Sequence, residues 1–113
     1  MAELENETRI YVGLNDSETR KQKYSIRTYA TVLKQVCYHY HVPFSFTLEQ
    51  GGYFHEDGDF VQENSLVLTL IGIDEKVTLD LAQELCSLFH QESVLVTFDH
   101  VRIISVNDKK TEK

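Results

Sequence analysis

The chain has few of the residues on which several classes of protein depend. Its 113 residues include one proline, two cysteines and no tryptophan. Cys37 and Cys86 have no Cys-x-x-Cys partner, so their spacing gives no support to a zinc or redox motif. Both fall on the apolar stripe of a predicted helix, where a free cysteine acts as a small hydrophobic residue. We therefore expect neither a disulfide nor a metal–thiolate site.

Five histidines are present, but their spacing does not predict a metal site. His39 and His41 are two residues apart on a predicted helix and point to different faces, unlike the i, i+4 pair of a zinc helix. His90 is expected at the end of the second helix, where it would interact with the helix dipole. No metal or other cofactor is predicted.

The sequence also lacks a long apolar run and an excess of basic residues. No stretch approaches the roughly 20 apolar residues of a membrane-spanning helix, and the N-terminal MAELENETR has no apolar signal region. The formal charge is −7, with 18 acidic against 11 basic residues, which opposes binding to nucleic-acid phosphates. We expect a cytoplasmic protein that contacts no membrane and whose acidic surface suits a basic partner protein.

What the chain does contain is an alternation of strand and helix patterns. β-Branched and aromatic residues at 8–14 predict a strand. Apolar residues then recur every three to four positions from Ile26, which predicts a helix that is capped by Ser25 and ends before Pro43. A second apolar stripe follows later in the chain, with Thr78 as the expected cap of its helix.

Between the two helices, apolar and polar residues alternate as they do in strands. The segments 44–56 and 59–73 predict a hairpin there. After the second helix, 93–106 predicts one further strand or two short ones. The predicted organisation is a single domain over 1–113, with a core at 8–106 and flexible termini at 1–7 and 107–113.

The order β-α-β-β-α-β predicts a ferredoxin-like α+β fold, with a four-stranded antiparallel sheet and two helices on one face. The first and third strands would then be central. The third strand, SLVLTLIGI, is apolar on both sides, as expected of a strand that is covered on both faces. Since the helices cover only one face, we expect a further surface to cover the other.

The segment GGYFHEDGDFVQENSLVLTL, residues 51–70, decides how the hairpin strands pair. Asp57-Gly58 is a strong signal for a two-residue loop, but that loop would place Phe46 opposite Thr69 and mix the two faces. One extra residue in the first strand would place Phe46 opposite Leu68, because a one-residue slip turns every side chain over. We therefore predict a β-bulge in that strand. The residues with structural roles are Gly51 or Gly52 at the bulge, and Asp57 and Gly58 in the turn.

The tip of this hairpin is predicted to project as an arm. A strand over 44–56 would be about 40 Å long at roughly 3.3 Å per residue, which outruns the helices. In the bulged register, Tyr53 and His55 share a face with Phe60 and Gln62. Exposed aromatic residues on a projecting hairpin suggest contact with a subunit or partner. The alternative is that they fold back on their own core.

Acidic residues are frequent around the hairpin, although turns select Asp and Gly for backbone reasons alone. Glu63 is expected near the start of the third strand and Glu92 near the start of the fourth. We assign these points to opposite ends of the sheet, so that the two carboxylates could cooperate only across a subunit boundary. No phosphate-binding loop, nucleophile elbow or Ser/His/Asp pattern is present, and Ser93 has no evident base. The chain is therefore not expected to be an enzyme, and no catalytic residue is assigned.

Three segments carry a resemblance to known proteins: RIYVGL at 9–14, GGYFHEDGDFVQENSLVL at 51–68 and FHQESVLV at 89–96. Together they resemble a family of small bacterial proteins of unknown function, with a Gly-x-aromatic, Asp-Gly and Glu-x-Ser hairpin and a Gln-Glu-Ser-Val-Leu strand. The chain also resembles small accessory proteins of phages and mobile elements. The positions that match the family pattern are Gly13, Gly51, Tyr53, Asp57, Gly58, Glu63, Ser65, Gln91, Glu92 and Ser93.

The leading functional interpretation is a non-catalytic interaction module. It would self-associate through the open sheet face and the hairpin arm, and act as a phage or mobile-element accessory that inhibits a basic host defence protein by binding it. One alternative is a small-molecule or nucleotide-binding regulator with its site at a subunit interface. Another is an enzyme that uses Glu63 and Glu92 across an interface. The candidate binding residues are Tyr53, His55, Phe60, Gln62, Glu63, Gln91 and Glu92.

Overall fold

The computed structural model describes residues 3–106 and contains six elements in the predicted order. They are β1 (Glu3–Gly13), α1 (Ile26–His39), β2 (Ser45–Phe54), β3 (Phe60–Ile71), α2 (Glu75–Leu88) and β4 (Leu95–Ile103). The strands form one antiparallel sheet in the order β2-β3-β1-β4, so the first and third strands are central as predicted. The ferredoxin-like α+β fold is confirmed.

The ends of the chain differ from the sequence expectation. Residues 3–7, predicted to be a flexible terminus, belong to β1 and pair with β4. This pairing was missed because ELENE has too little apolar character to suggest a strand. The C-terminal strand is a single element. The predicted flexible terminus at 107–113 lies outside the described residues.

Both helices cover the same face of the sheet. Their apolar stripes meet the inward side chains of β1 and β3 in one buried cluster, because the helical repeat and the strand alternation each bring apolar residues to one side. The fully buried members are Ile10, Val12, Leu14, Leu33, Cys37, Leu66, Leu68, Leu70, Leu81 and Leu85.

Of the two predicted helix caps, the structure contains one. Oγ of Ser25 accepts a hydrogen bond from the backbone N–H of Thr28, which confirms the cap of α1. The second helix begins after Asp74, whereas Thr78 lies within the helix and is fully buried. The expectation that Thr78 caps α2 is therefore wrong, because the helix starts one turn earlier at a residue with no apolar signal. Neither helix of the described chain combines the length and the apolar character needed to cross a membrane.

The sheet face away from the helices is mixed in character. On β3 it alternates polar Ser65 and Thr69 with Val67 and Ile71, and on β1 it carries Arg9. Val67 is nevertheless only 5% exposed. The open face is therefore less apolar than SLVLTLIGI suggested.

The β2–β3 hairpin has the apolar register that was predicted, but not the bulge. Phe46 lies opposite Leu68, and pairing continues without interruption through Gly51 and Gly52 to the tip. The extra residue lies in the turn instead. The backbone N–H of His55 donates to the carbonyl oxygen of Asp59 (2.8 Å), which leaves a three-residue loop, Glu56-Asp57-Gly58. Gly58 has φ +92°, and such a loop with a left-handed glycine supplies the same register shift as a bulge.

This register divides the predicted tip residues between two faces. Tyr53 pairs with Val61, and Phe54 pairs with Phe60, so alternation puts Tyr53 on the face of Glu63 and away from Phe60 and Gln62. The expected grouping of these tip residues on one face is therefore wrong. The rings of Phe54 and Phe60 pack edge to face at 5.3 Å, yet both remain mostly exposed, at 75% and 60%.

Two arms give the described chain its extended shape of 61 × 30 × 24 Å. At one end, β2 and β3 continue as a two-stranded ribbon beyond Gly13, which is the last residue of β1. At the other end, β1 and β4 pair alone from Glu3 to Asn6. The predicted projecting hairpin is thus present in the structure.

Candidate functional site

The starts of β3 and β4 lie at the same end of the sheet. Both strands run antiparallel to β1, so they are parallel to each other, and Ser65 and Leu95 pair with the last residues of β1. The expectation that Glu63 and Glu92 lie at opposite ends of the sheet is therefore wrong. It overlooked that two strands flanking the same antiparallel neighbour must point the same way.

A cavity of about 330 Å³ opens at this end of the sheet, which is a volume typical of small-molecule sites. Five of the seven candidate binding residues line it, whereas Phe60 and Gln62 lie outside the lining. The β1–α1 loop supplies four more residues that the sequence did not single out. The full lining is Asn15, Asp16, Ser17, Arg20, Tyr53, His55, Glu63, Gln91, Glu92 and Ser93.

The Glu63 carboxylate is held against the end of β1. Its Oε2 accepts a hydrogen bond from the backbone N–H of Asn15 (3.0 Å). The side chain of Asn15 donates to the carbonyl oxygen of Gln62 (3.1 Å). The backbone N–H of Leu14 donates to the backbone carbonyl oxygen of Asn64 (2.9 Å). Within residues 3–106, Oε1 of Glu63 accepts no hydrogen bond, and Glu63 is one of the residues that line the cavity.

Gln91 fixes the same segment from the other side. Its Nε2 donates to the carbonyl oxygen of Asn15 (2.7 Å) and to that of Phe89 (3.3 Å). Both backbone polar groups of Asn15 are therefore satisfied by side chains from distant strands and loops, which is how an irregular half-buried segment avoids unpaired polar groups.

Asp16 organises the rest of the β1–α1 loop. It is only 4% exposed, and its Oδ1 accepts from the backbone N–H groups of Glu18 (2.9 Å) and Thr19 (3.3 Å). Its Oδ2 forms an ion pair with Nζ of Lys23 (3.2 Å) and lies 3.7 Å from Nδ1 of His90. The hydrogen bond from Glu18, followed by those from Thr19 and Lys23, holds the pKa of Asp16 below its usual value, although burial opposes this shift.

The cavity carries more negative than positive charge. Three carboxylates line it, and Arg20 is the one lysine or arginine among the described lining residues. Arg20 has φ +61°, an uncommon conformation for a residue with a side chain. A ligand with cationic groups and an aromatic ring would complement the carboxylates and the nearby Tyr53. Across residues 3–106, no three His, Cys, Asp or Glu side chains are grouped so that they could hold a metal ion.

The loop residues missed by the sequence reasoning had only a weak signal. Three of the four lie in NDSE, residues 15–18, whose composition is typical of a plain turn because Asp and Ser are common in turns. Nothing local in those four letters distinguishes a turn from a cavity wall.

Comparisons with known proteins give structural matches only. No family model matches the sequence, and no curated protein does. A phage SAM lyase in complex with S-methyl-5′-thioadenosine is 26% identical, with a TM-score of 0.62 over 89% of this chain and 90% of that chain. A phage SAM lyase in its apo state is 27% identical, with a TM-score of 0.64 and the same coverage. A CutA1 variant from Pyrococcus horikoshii OT3, 12% identical with a TM-score of 0.53, agrees in fold alone.

These matches correct the expectation that the chain is not an enzyme. Nearly the whole chain is similar to an enzyme at 26–27% identity. That expectation rested on the absence of sequence motifs for a nucleophile with a base, a metal centre or a phosphate-binding loop, and on the assignment of Glu63 and Glu92 to opposite ends of the sheet. A cavity lined by three carboxylates and an aromatic ring matches none of those patterns.

Proposed function

We propose that this protein is an S-adenosylmethionine lyase whose substrate occupies the cavity beside Gly13 and Glu63. The observation that carries the proposal is the similarity, over about nine-tenths of both chains, to a phage SAM lyase. The cavity adds support, because it has the volume and the negative charge that suit a cationic nucleoside.

The chemistry follows from the structures of the two small molecules. S-Adenosylmethionine carries three substituents on a positively charged sulfur, and S-methyl-5′-thioadenosine keeps two of them, the methyl and the adenosyl groups. The bond that breaks is therefore the one between sulfur and Cγ of the amino acid portion. The substrate's own carboxylate can attack Cγ and close a five-membered lactone, while the bonding electron pair passes to sulfur. No water, proton transfer or redox partner is needed, and the products are the thioether and protonated homoserine lactone.

The enzyme's task in such a reaction is orientation. An intramolecular attack gains most from a fixed geometry, with effective molarities of about 10⁵–10⁸ M in well-oriented cases. Oε1 of Glu63 is suited to accept hydrogen bonds from the substrate's ammonium group, which would turn the neighbouring carboxylate toward Cγ. Tyr53 is suited to pack against the adenine ring.

The changes in substrate charge during the reaction limit which substrate group the charged residues of the site can bind without slowing the reaction. As the new C–O bond forms, both the carboxylate and the sulfonium lose their charge. A cation held tightly on the substrate carboxylate would therefore stabilise the starting state and slow the reaction. For this reason we assign binding to the ammonium group, through Glu63 with Glu92 nearby, and not to the carboxylate through Arg20.

The test is to incubate the purified chain with S-adenosylmethionine and to separate the products by chromatography. We expect methylthioadenosine and homoserine lactone in equal amounts, and no change in S-adenosylhomocysteine, whose neutral sulfur is a poor leaving group. In ¹⁸O-labelled water the lactone should carry no label. Absence of methylthioadenosine with folded protein at millimolar substrate would reject the proposal.

Self-association through the open sheet face and the arm remains a prediction, to which the exposed Phe54 and Phe60 lend support. Light scattering that finds a single chain would contradict it. Inhibition of a basic host defence protein also remains a prediction.

A further inference from the structure

Gly13 lies where a side chain would collide with two residues of the cavity. A methyl group on its Cα would lie 2.6 Å from Oε2 of Glu63, 2.8 Å from Cδ of Glu63 and 2.9 Å from Oε1 of Gln91. These distances are far shorter than ordinary contacts of about 3.5–4 Å. The backbone of Gly13 has no left-handed φ, so its conformation does not require glycine. The requirement for glycine is one of space.

The space at Gly13 sets where the Glu63 carboxylate lies. Oε2 reaches the backbone N–H of Asn15 only because the carboxylate can rest directly on the strand. Gln91 rests on the same spot and donates to the carbonyl oxygen of Asn15. The carboxylate and the amide therefore meet over one glycine and hold the start of the β1–α1 loop between them.

We infer that Gly13 is a positioning residue for Glu63: its missing side chain seats the carboxylate on Asn15 and so directs Oε1 to the substrate. This inference rests on the proposed lyase function for its kinetic consequence. It does not rest on that function for its structural consequence, which is the hydrogen bond between Asn15 and Glu63.

The chain offers a matched control at Gly51. Gly51 lies directly opposite Glu63 on β2, and a methyl group there would meet nothing within 4 Å. Gly13→Ala and Gly51→Ala are thus the same change on the two strands that flank Glu63. In Gly13→Ala the colliding atoms are the ends of flexible side chains, so the fold should persist while the carboxylate moves.

The experiment measures methylthioadenosine release by both variants, each with and without Glu63→Gln. We expect Gly13→Ala to lower kcat/KM about 10- to 100-fold, because misplacements near 1 Å can cost about that much, and Gly51→Ala to change it less than about threefold. Adding Glu63→Gln to Gly13→Ala should lower kcat/KM only a little further. Adding it to Gly51→Ala should lower kcat/KM as much as it does in the wild-type protein. Full additivity in both backgrounds would overturn the inference, since a merely structural role would not depend on Glu63.

A second readout keeps the inference testable if the wild-type protein does not cleave S-adenosylmethionine. The Asn15 amide resonance in a ¹⁵N–¹H correlation spectrum should shift in Gly13→Ala as it does in Glu63→Ala, which removes the accepting oxygen, and stay in place in Gly51→Ala. An unmoved resonance would overturn the inference whatever the activity. Normal lyase activity in Gly13→Ala would reject the inference and leave the proposed function intact. If Gly13→Ala does not fold, Glu63→Asp withdraws the same carboxylate by one methylene, and wild-type activity in that variant would be the contradicting result.

Discussion

Replacing Glu63 by glutamine removes the charge from the cavity while keeping the shape of the side chain. The amide oxygen can still accept the hydrogen bond that Oε2 now takes from Asn15 at 3.0 Å, so the loop should keep its place. What changes is the group facing the substrate, where a negative oxygen gives way to a neutral amide. Unit charges 4 Å apart interact by about 4 kcal/mol at an effective dielectric constant of about 20. Because Glu63 is only half-buried, we take roughly half to two-thirds of that value.

The expected result is a fall in kcat/KM of about 30- to 80-fold, since about 1.4 kcal/mol corresponds to a factor of ten. The assay is methylthioadenosine release under initial-rate conditions, with thermal melting to confirm that stability is preserved. Glu49→Gln is the matched control, because Glu49 lies on the same sheet face, is exposed and stands outside the cavity lining. A kcat/KM within threefold of the wild-type value for Glu63→Gln, or an equal loss in Glu49→Gln, would refute the assignment of the substrate ammonium to Glu63.

Three further predictions concern the scaffold that carries the cavity. The pKa of Asp16 in the folded protein lies below its usual 3.8, so its contacts stabilise the fold above pH 3.8 and are lost as the pH falls through the pKa of the folded protein. Asp16→Asn should therefore lower Tm at pH 7. In melting curves, the difference in Tm between this variant and the wild type should become smaller below pH 3.8. Burial raises the pKa of Cys37 to about 11. Ellman's reagent at pH 8 should therefore label Cys86 first and Cys37 only when the protein unfolds. Fast labelling of both thiols would contradict the burial of Cys37. Leu14→Ala should cost about 2–5 kcal/mol in chemical denaturation because Leu14 is fully buried, whereas Tyr38→Ala, at an 80% exposed position, should stay within about 0.5 kcal/mol.

Much of the fold could be predicted because its signals are local. The apolar repeat from Ile26 to Tyr40 marks a helix whatever the rest of the chain does, and Ser25 caps it through a neighbour three residues away. The hairpin register was predicted from the match of apolar faces. The device that produces it was not, because a bulge and a three-residue turn shift the strands equally and differ only in where the extra residue lies.

The candidate site was predictable only in part. The hairpin pattern singled out Tyr53 and Glu63 as candidates, but the predicted bulge put Tyr53 on the face of Gln62. The three-residue turn instead brings Tyr53 onto the face of Glu63. Arg20 was missed because its place in the lining depends on the path of a loop, and loop paths are set by contacts with distant residues. The sequence also could not show that Glu63 and Gln91 occupy the space that a side chain at position 13 would need. A glycine at the end of a strand has the same local pattern whether or not other side chains pack against it.

By itself, the sequence determined the order of strands and helices, the residues that form the core and the apolar register of the hairpin. Each of these depends on the spacing of side chains along a short stretch of chain. The tertiary structure alone decided that Glu63, Gln91 and Asn15 form one cavity wall. Asn15 bonds to partners 48 and 76 residues away, and they reach it because β3 and β4 both run antiparallel to β1 and begin at the same end of the sheet. That convergence comes from the pairing of whole strands, and no short segment of the chain records it.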